Sequence, residues 1–211
     1  MTSSIRRTDT KELLKQLQNV ELPTLGHFLE NGFLPPEIRT MVPGVRMIGV
    51  ATTARVPDAD AVAINEALLR LQPGEVLVLD MAGDRLHAPV GSVTSAVARS
   101  RKCAGILVDG PVTDVTELAS GTLPVFARGS TCLTTKRHAS GHAEFGTSVR
   151  VAGVDVRPGD IVLGDDNGVL VLDPLLDPDI VRQAAESDQA EPDILKRIAS
   201  GEPLEHILYL G

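Results

Sequence analysis

Along the chain, apolar positions change spacing several times, and each change marks an element. From Asp9 the run TDTKELLKQLQNV places Leu13, Leu14 and Leu17 on one helical face, with Asp9 or Thr10 as cap and residues 1–8 as a polar lead. Pro23 closes that helix, and Thr24 opens a second short one over Leu25–Glu30, ended by Asn31-Gly32. Ile48, Val50, Thr52 and Ala54 then recur at every second position within Gly44–Pro57, which predicts a strand. Asp60–Gln72 returns to helical spacing, and Glu75–Asp80 (EVLVLD) is a continuous apolar run of the kind buried strands show.

The stretch Gly83–Asp114 is the centre of the reading. Gly91 provides a close turn, Ser92 an N-cap, and Val93–Arg101 a helix; Ile106–Val108 is a strand and a loop closes on Asp114. Asp114 or Thr116 caps a short helix in Val112–Ser120, and Pro124–Ala127 is a further strand. Residues 129–147 are rich in Ser, Thr, Gly and His and read as loop or irregular edge strand. Thr147–Val151, Asp155–Val156, Asp160–Gly164 and Gly168–Leu172 are short strands, and Asp165-Asp166-Asn167-Gly168 is a hairpin turn. The tail is helical over Asp179–Gln189, Asp193–Ser200 and Leu204–Leu210. Strand–helix alternation followed by hairpins predicts one layered α/β domain with a mixed sheet and helices at both termini, core about 25–175 and tail about 176–211.

Composition narrows the function. The 211 residues include no Trp, one Tyr and four Phe, so stacking platforms for single strands are scarce. A net charge of −8, from 28 acidic and 20 basic residues, disfavours a phosphate-backbone binder, and no nucleic-acid partner is expected. Cys103 reads as a core thiol, and together with Cys132 it makes no metal motif. Neither a signal pattern nor a membrane-length apolar run is present, so a soluble cytoplasmic protein is expected.

Candidate chemistry concentrates in the central stretch. The first amides of the helix, at Val93 and Thr94, suit a carboxylate or phosphate, although most helix starts bind only their own cap or water. Asp109-Gly110 reads as a turn in which Asp109 bonds its own backbone. Asp114 either caps a helix or holds a hydrated Mg2+ beside a carboxylate seated on the helix amides. His138 and His142 are four apart but lack the adjacent Glu of a zinc-protease helix, and His27, His87 and His206 are isolated. No nucleophile elbow, P-loop or dinucleotide fingerprint occurs.

Five segments in this order, GVATTARV (Gly49–Val56), VLDMAGD (Val78–Asp84), GILVDGPVTD (Gly105–Asp114), PVFARG (Pro124–Gly129) and VRPGDIVLGDDNGVLVL (Val156–Leu172), resemble the RraA-like family. That family includes class II 4-hydroxy-4-methyl-2-oxoglutarate / 4-carboxy-4-hydroxy-2-oxoadipate aldolases and regulators of ribonuclease E activity. The resemblance implies a swivelling β/β/α-type sandwich, assembled as homotrimers or hexamers with the active site at a subunit interface. It also implies a lyase that uses Mg2+ or Mn2+ to release pyruvate from a small 2-oxo di- or tricarboxylic acid, or to decarboxylate oxaloacetate. The non-catalytic alternative is a regulator that binds a protein partner such as a ribonuclease.

Carried onto this chain, the resemblance makes Asp114 the catalytic metal ligand. Gly91, Ser92, Val93, Thr94 and Thr113 would form the substrate site, and Glu191, from a neighbouring subunit, would be a second metal-side carboxylate. The family's acidic residue, twenty positions and Arg-Asp read here as Ser92, twenty positions, Thr113 and Asp114. Thr113 therefore brings no charge to an enolate. Arg128, Lys136 and Arg137 are the nearest candidates in the PVFARG region that could substitute, and a plain salt bridge is the other reading of Arg128.

Overall fold

The computed structural model describes residues 2–208. Ten strands follow in order: β1 (Arg39–Thr40), β2 (Met47–Arg55), β3 (Glu75–Asp80), β4 (Gly105–Val108), β5 (Val125–Ala127), β6 (Glu144–Phe145), β7 (Val149–Val151), β8 (Val154–Val156), β9 (Ile161–Asp165) and β10 (Gly168–Leu172). The helices are α1 (Thr2–Leu17), α2 (Leu22–Leu25), α3 (Ala61–Arg70), α4 (Ser92–Ser100), α5 (Val115–Ala119) and α6 (Pro178–Ala199). They divide into two compact units, residues 31–174 and a helical unit that joins residues up to 30 with those from 175 onward.

In the larger unit the main sheet runs β1-β5-β4-β3-β2-β9-β10, with β6 also paired to β2. Strands β2 through β5 are parallel neighbours, whereas β9 and β10 join antiparallel. The two faces of the sheet follow the period of two along each strand. Leu77 and Leu79 of β3, with Ile106 and Val108 of β4, pack against Ile64, Leu68, Ala98 and Leu118 of α3, α4 and α5. The alternate residues Val76, Val78 and Leu107 pack with Phe126 against Val149, Val151 and Val156 of the separate β7–β8 hairpin. Hairpin, sheet and helices thus form the expected β/β/α layering. It explains why Val76–Leu79 within EVLVLD are apolar without alternation: both faces of the strand are covered.

Local chemistry fixes the joints. Asp60 caps α3 through Oδ1, which accepts from the Val62 and Ala63 amides, while Oδ2 accepts from the amide and hydroxyl of Ser140. One side chain therefore starts a helix and pins the 136–140 loop beside it. In the helical unit Leu13, Leu17, Leu22, Leu25, Val181 and Ala184 are buried, and the Asp188 carboxylate accepts from the Glu21 amide and the Thr24 hydroxyl.

Several boundaries differ from the sequence reading. Helix α1 starts at Thr2 rather than Asp9, because nothing in the polar lead breaks a helix. Pro23 opens α2 instead of ending α1, since a missing N–H costs nothing in a first turn. Thr24 lies inside α2 and bonds Asp188 rather than capping. The first two tail segments merge into α6, which passes through Pro192; the cost is one backbone bond on an exposed turn. Leu204–His206 forms a 3-10 turn, and the end of the third expected segment, at Tyr209 and Leu210, lies outside the described residues. Cys103 is buried, just beyond α4, with its thiol directed to the Glu75 and Gly105 carbonyls. No helix among the described residues is long and apolar enough to cross a membrane.

Asp109 departs most from expectation. It is buried at the end of β4 and does not serve its own turn. Its Oδ1 accepts from Arg85 Nη1 at 2.6 Å and Arg128 Nε at 2.5 Å, and its Oδ2 accepts from the Ala152 amide at 3.0 Å. Burial alone would raise its pKa, but the Arg85 bond, the Ala152 amide and Arg128 together hold it below the ordinary carboxylate value. Its contribution to stability is complete at neutral pH and is lost as pH falls below the ordinary aspartate range. Asp109→Ala should lower unfolding stability by about 3 kcal/mol at pH 7. The difference from wild type should shrink in acid, as urea titrations at several pH values would show; a pH-independent difference would contradict it.

Candidate functional site

The site lies where the parallel strands end. The segments that follow β3, β4 and β5 run side by side: Val90 bridges Val112, Val112 bridges Ser130, and Ala88 bridges Thr134. Open α/β sheets place ligands in the crevice beyond the carboxyl ends of such strands. Here the crevice is a shallow depression of ≈ 340 Å3 lined by Thr113, Asp114, Val115, Ser130, Thr131 and Cys132.

Ser92 and Asp114, twenty-two residues apart, meet at its edge. The Ser92 amide donates to Asp114 Oδ2 at 2.8 Å and the Ser92 hydroxyl to the same oxygen at 2.9 Å. The helix cap therefore differs from expectation. Gly91 occupies the N-cap position, Ser92 is the first helical residue, and the capping carboxylate arrives from another loop. Asp114 also stands at the N-cap position of α5, but its side chain makes no cap bond there. Gly91 is required by this approach rather than by its backbone angle. A Cβ on it would lie 2.6 Å from Asp114 Oδ2 and 2.7 Å from Thr113 Cγ2.

Two kinds of binding capacity remain. The amides of Val93 and Thr94 find no acceptor among the described residues, as the second and third positions of a helix allow. Among the described residues, Asp114 Oδ1 meets only the Thr113 hydroxyl, at 3.3 Å. The bonds from the Ser92 amide and hydroxyl, with a smaller contribution from Thr113, hold the Asp114 carboxyl below its ordinary pKa, and it is an anion throughout the physiological range.

Among the described residues no group of three or more His, Cys, Asp or Glu is arranged to hold a metal. The donor set suits a hydrated hard cation taken by one carboxylate oxygen, and does not suit a closed all-protein cage. Glu191 lies exposed on α6, in the helical unit. Of the cations near β5, Arg128 forms a salt bridge with Asp109, while Lys136 and Arg137 are exposed on the loop pinned by Asp60. Sequence reasoning did not single out Arg85, whose partner Asp109 is 24 residues away and whose role appears only when the strand ends are brought together.

Comparison with known proteins identifies the family. A family model described as RraA-like, Aldolase/RraA, matches residues 22–171. The chain belongs to the RraA-like family. A relative from Halalkalibacterium halodurans, provisionally named 4-hydroxy-4-methyl-2-oxoglutarate aldolase, is 31% identical over 165 residues, covering 78% of this chain and 77% of its own. Among solved structures, an RraA described as an RNA-processing inhibitor from Thermus thermophilus superposes with a TM-score of 0.60 at 28% identity, over 66% of this chain and 84% of that one. An uncharacterized protein from Pseudomonas syringae pv. tomato superposes with a TM-score of 0.78 at 22% identity, over 93% and 96% of the two chains, and shares the fold.

Ser92→Ala removes one of the two short bonds to Oδ2 and should raise the Asp114 pKa toward the ordinary aspartate value, as a carboxyl-carbon NMR titration would record. Gly91→Ala should raise it further, because the added methyl displaces the carboxylate from the Ser92 amide. An unchanged titration in both variants would show that Ser92 does not hold Asp114 in solution.

Proposed function

We propose that this RraA-like chain is a divalent-metal-dependent lyase that forms pyruvate from a small 2-oxo acid, by retro-aldol cleavage or by decarboxylation of oxaloacetate. Both reactions leave the same enolate, so both ask the protein to bind a 2-oxo carboxylate and to favour negative charge on the keto oxygen. The observation that carries the reading is the pair of open amides at Val93 and Thr94 beside Asp114, whose outer oxygen takes one long bond from the Thr113 hydroxyl and keeps acceptor capacity. The aldolase name of the Halalkalibacterium relative supports it.

In this mechanism the Val93 and Thr94 amides receive the substrate carboxylate, aided by the partial positive charge of the helix start. Asp114 Oδ1 would hold Mg2+ or Mn2+, directly or through water, and Ser92 fixes the carboxylate by occupying Oδ2. A bound divalent cation supplies Lewis acidity to the keto oxygen. Thr113 shapes the pocket wall and can hold a water through its hydroxyl. In a homotrimer or hexamer, Glu191 of a neighbouring copy would add an outer carboxylate to the metal side.

One observation favours a second reading. Ser92 and Thr113 stand where the resemblance implies an acidic residue and an Arg, so the chain lacks two charged groups of an aldolase site. A non-catalytic regulator that binds a protein partner such as a ribonuclease has no need of them, and the match to an RNA-processing inhibitor is consistent with that role.

Turnover separates the two. The lyase reading expects pyruvate from oxaloacetate or from 4-hydroxy-4-methyl-2-oxoglutarate with Mg2+ or Mn2+, abolished by chelator and restored by metal. Asp114→Asn should reduce the rate about 10–100-fold. Absence of metal-dependent pyruvate release from either acid would leave the regulator reading.

A further inference from the structure

We propose that Asn31 is a site of spontaneous deamidation, and that its isoaspartyl product releases the segment covering the outer edge of β10. Water is the only reagent required, and the inference holds whichever reaction the crevice performs.

Of the four asparagines in the chain, two, Asn31 and Asn167, precede glycine. A following glycine leaves the peptide nitrogen unshielded by any side chain, so that nitrogen reaches the asparagine side chain most readily in an Asn-Gly pair. Asn19 precedes the branched Val20, and Asn65 is held inside α3.

The structure separates the two Asn-Gly pairs. Asn167 lies in the turn between β9 and β10, where Gly168 pairs with Asp165 in the closing rung and the Asn167 amide donates to Asp165 Oδ1. Asn31 is exposed, and neither its side chain nor the Gly32 amide finds a hydrogen-bond partner among the described residues. The Gly32 nitrogen is therefore free to act as the nucleophile toward the neighbouring side chain. Gly32 is also fixed as glycine: its φ of 91° is left-handed, and a Cβ there would collide with the Val171 carbonyl oxygen. The close approach to β10 that demands glycine thus builds the labile pair into the fold.

The reaction balances with water. The Gly32 nitrogen bonds to Asn31 Cγ, the Cγ–Nδ2 bond breaks, and ammonia leaves with the former amide proton, giving a cyclic imide. Water then opens the imide at one of its two carbonyls. Opening at Cγ gives aspartate with the ordinary backbone. Opening at the main-chain carbonyl carbon gives isoaspartate, in which the main chain runs through the former side chain and is one methylene longer.

That methylene enters directly before a backbone clamp. The Val171 amide donates to Gly32 O at 2.9 Å, the Leu34 amide donates to Val169 O at 2.9 Å, and Phe33 bridges Leu170 between them. Strand β10 ends the order of the main sheet, so these bonds cover groups that an edge strand would otherwise leave open. An extra backbone atom at the start of so short a clamp carries the Gly32 carbonyl off the Val171 amide and uncovers that edge.

The full chain is incubated in warm, mildly alkaline buffer and followed by peptide mapping, with electron-transfer fragmentation to separate aspartate from isoaspartate. Asn31 should convert first, and Asn167 should lag by about fivefold or more, the factor that one backbone hydrogen bond is worth. In concentrated urea the two should convert at similar rates, because only the shared dipeptide then matters. In the converted protein, hydrogen exchange at the Val171 and Leu34 amides should be faster than in fresh protein. Asn31→Asp, which adds the charge without the methylene, should keep the fresh pattern, and so should aged Asn31→Gln, whose longer side chain closes the ring poorly. Conversion of Asn167 ahead of Asn31 in the folded protein, equal slowing of both relative to urea, or unchanged exchange at Val171 after isoaspartate has formed overturns the proposal.

Discussion

A carboxylate buried at the end of β4 holds the functional end of the sheet together. Asp109 collects Arg85 from the segment after β3, Arg128 from the end of β5 and the Ala152 amide from the hairpin. Burying one anion is expensive, and two partly exposed guanidinium groups and an amide offset that cost, so the pairing adds little over an apolar replacement although breaking it by removing one partner is costly. What the arrangement gains is registration. Three chain segments that share few backbone bonds are fixed relative to one another, and the crevice lies among the loops they carry.

The same economy of groups governs the crevice. One oxygen of Asp114 closes the start of α4, a task that a local Ser or Asp normally performs. The other oxygen remains outward. Structural and functional demands on the residue are thus divided between its two oxygens. The division depends on Gly91, because any larger residue would occupy the position the carboxylate takes.

Much of this was legible in the sequence, for identifiable reasons. The two-sided burial of β3 shows as EVLVLD, the α3 cap as Asp60 before an apolar helical period, and the β9–β10 hairpin as an Asp-Asn-Gly turn. The layered mixed sheet follows from those signals, and the family from five ordered segments. What could not be read were bonds between residues far apart in the chain. Ser92 looked like a self-sufficient cap until Asp114 reached it, and Asp109 looked like a turn residue until two arginines converged on it. Local propensity also misplaced Pro192, because an exposed turn tolerates the loss of one bond.

The backbone at Asp114 carries one more consequence. Its φ of 55° and ψ of 43° are left-handed, a conformation that costs most side chains roughly 1–2 kcal/mol and that Asn, Asp and Gly tolerate best. Glutamate would bear that strain and would carry its carboxylate one methylene past the Ser92 amide. Of the residues at ease there, Gly supplies no oxygen and Asn no charge. The loop's shape, before any chemistry is considered, leaves aspartate as the one acid the position accommodates without added strain.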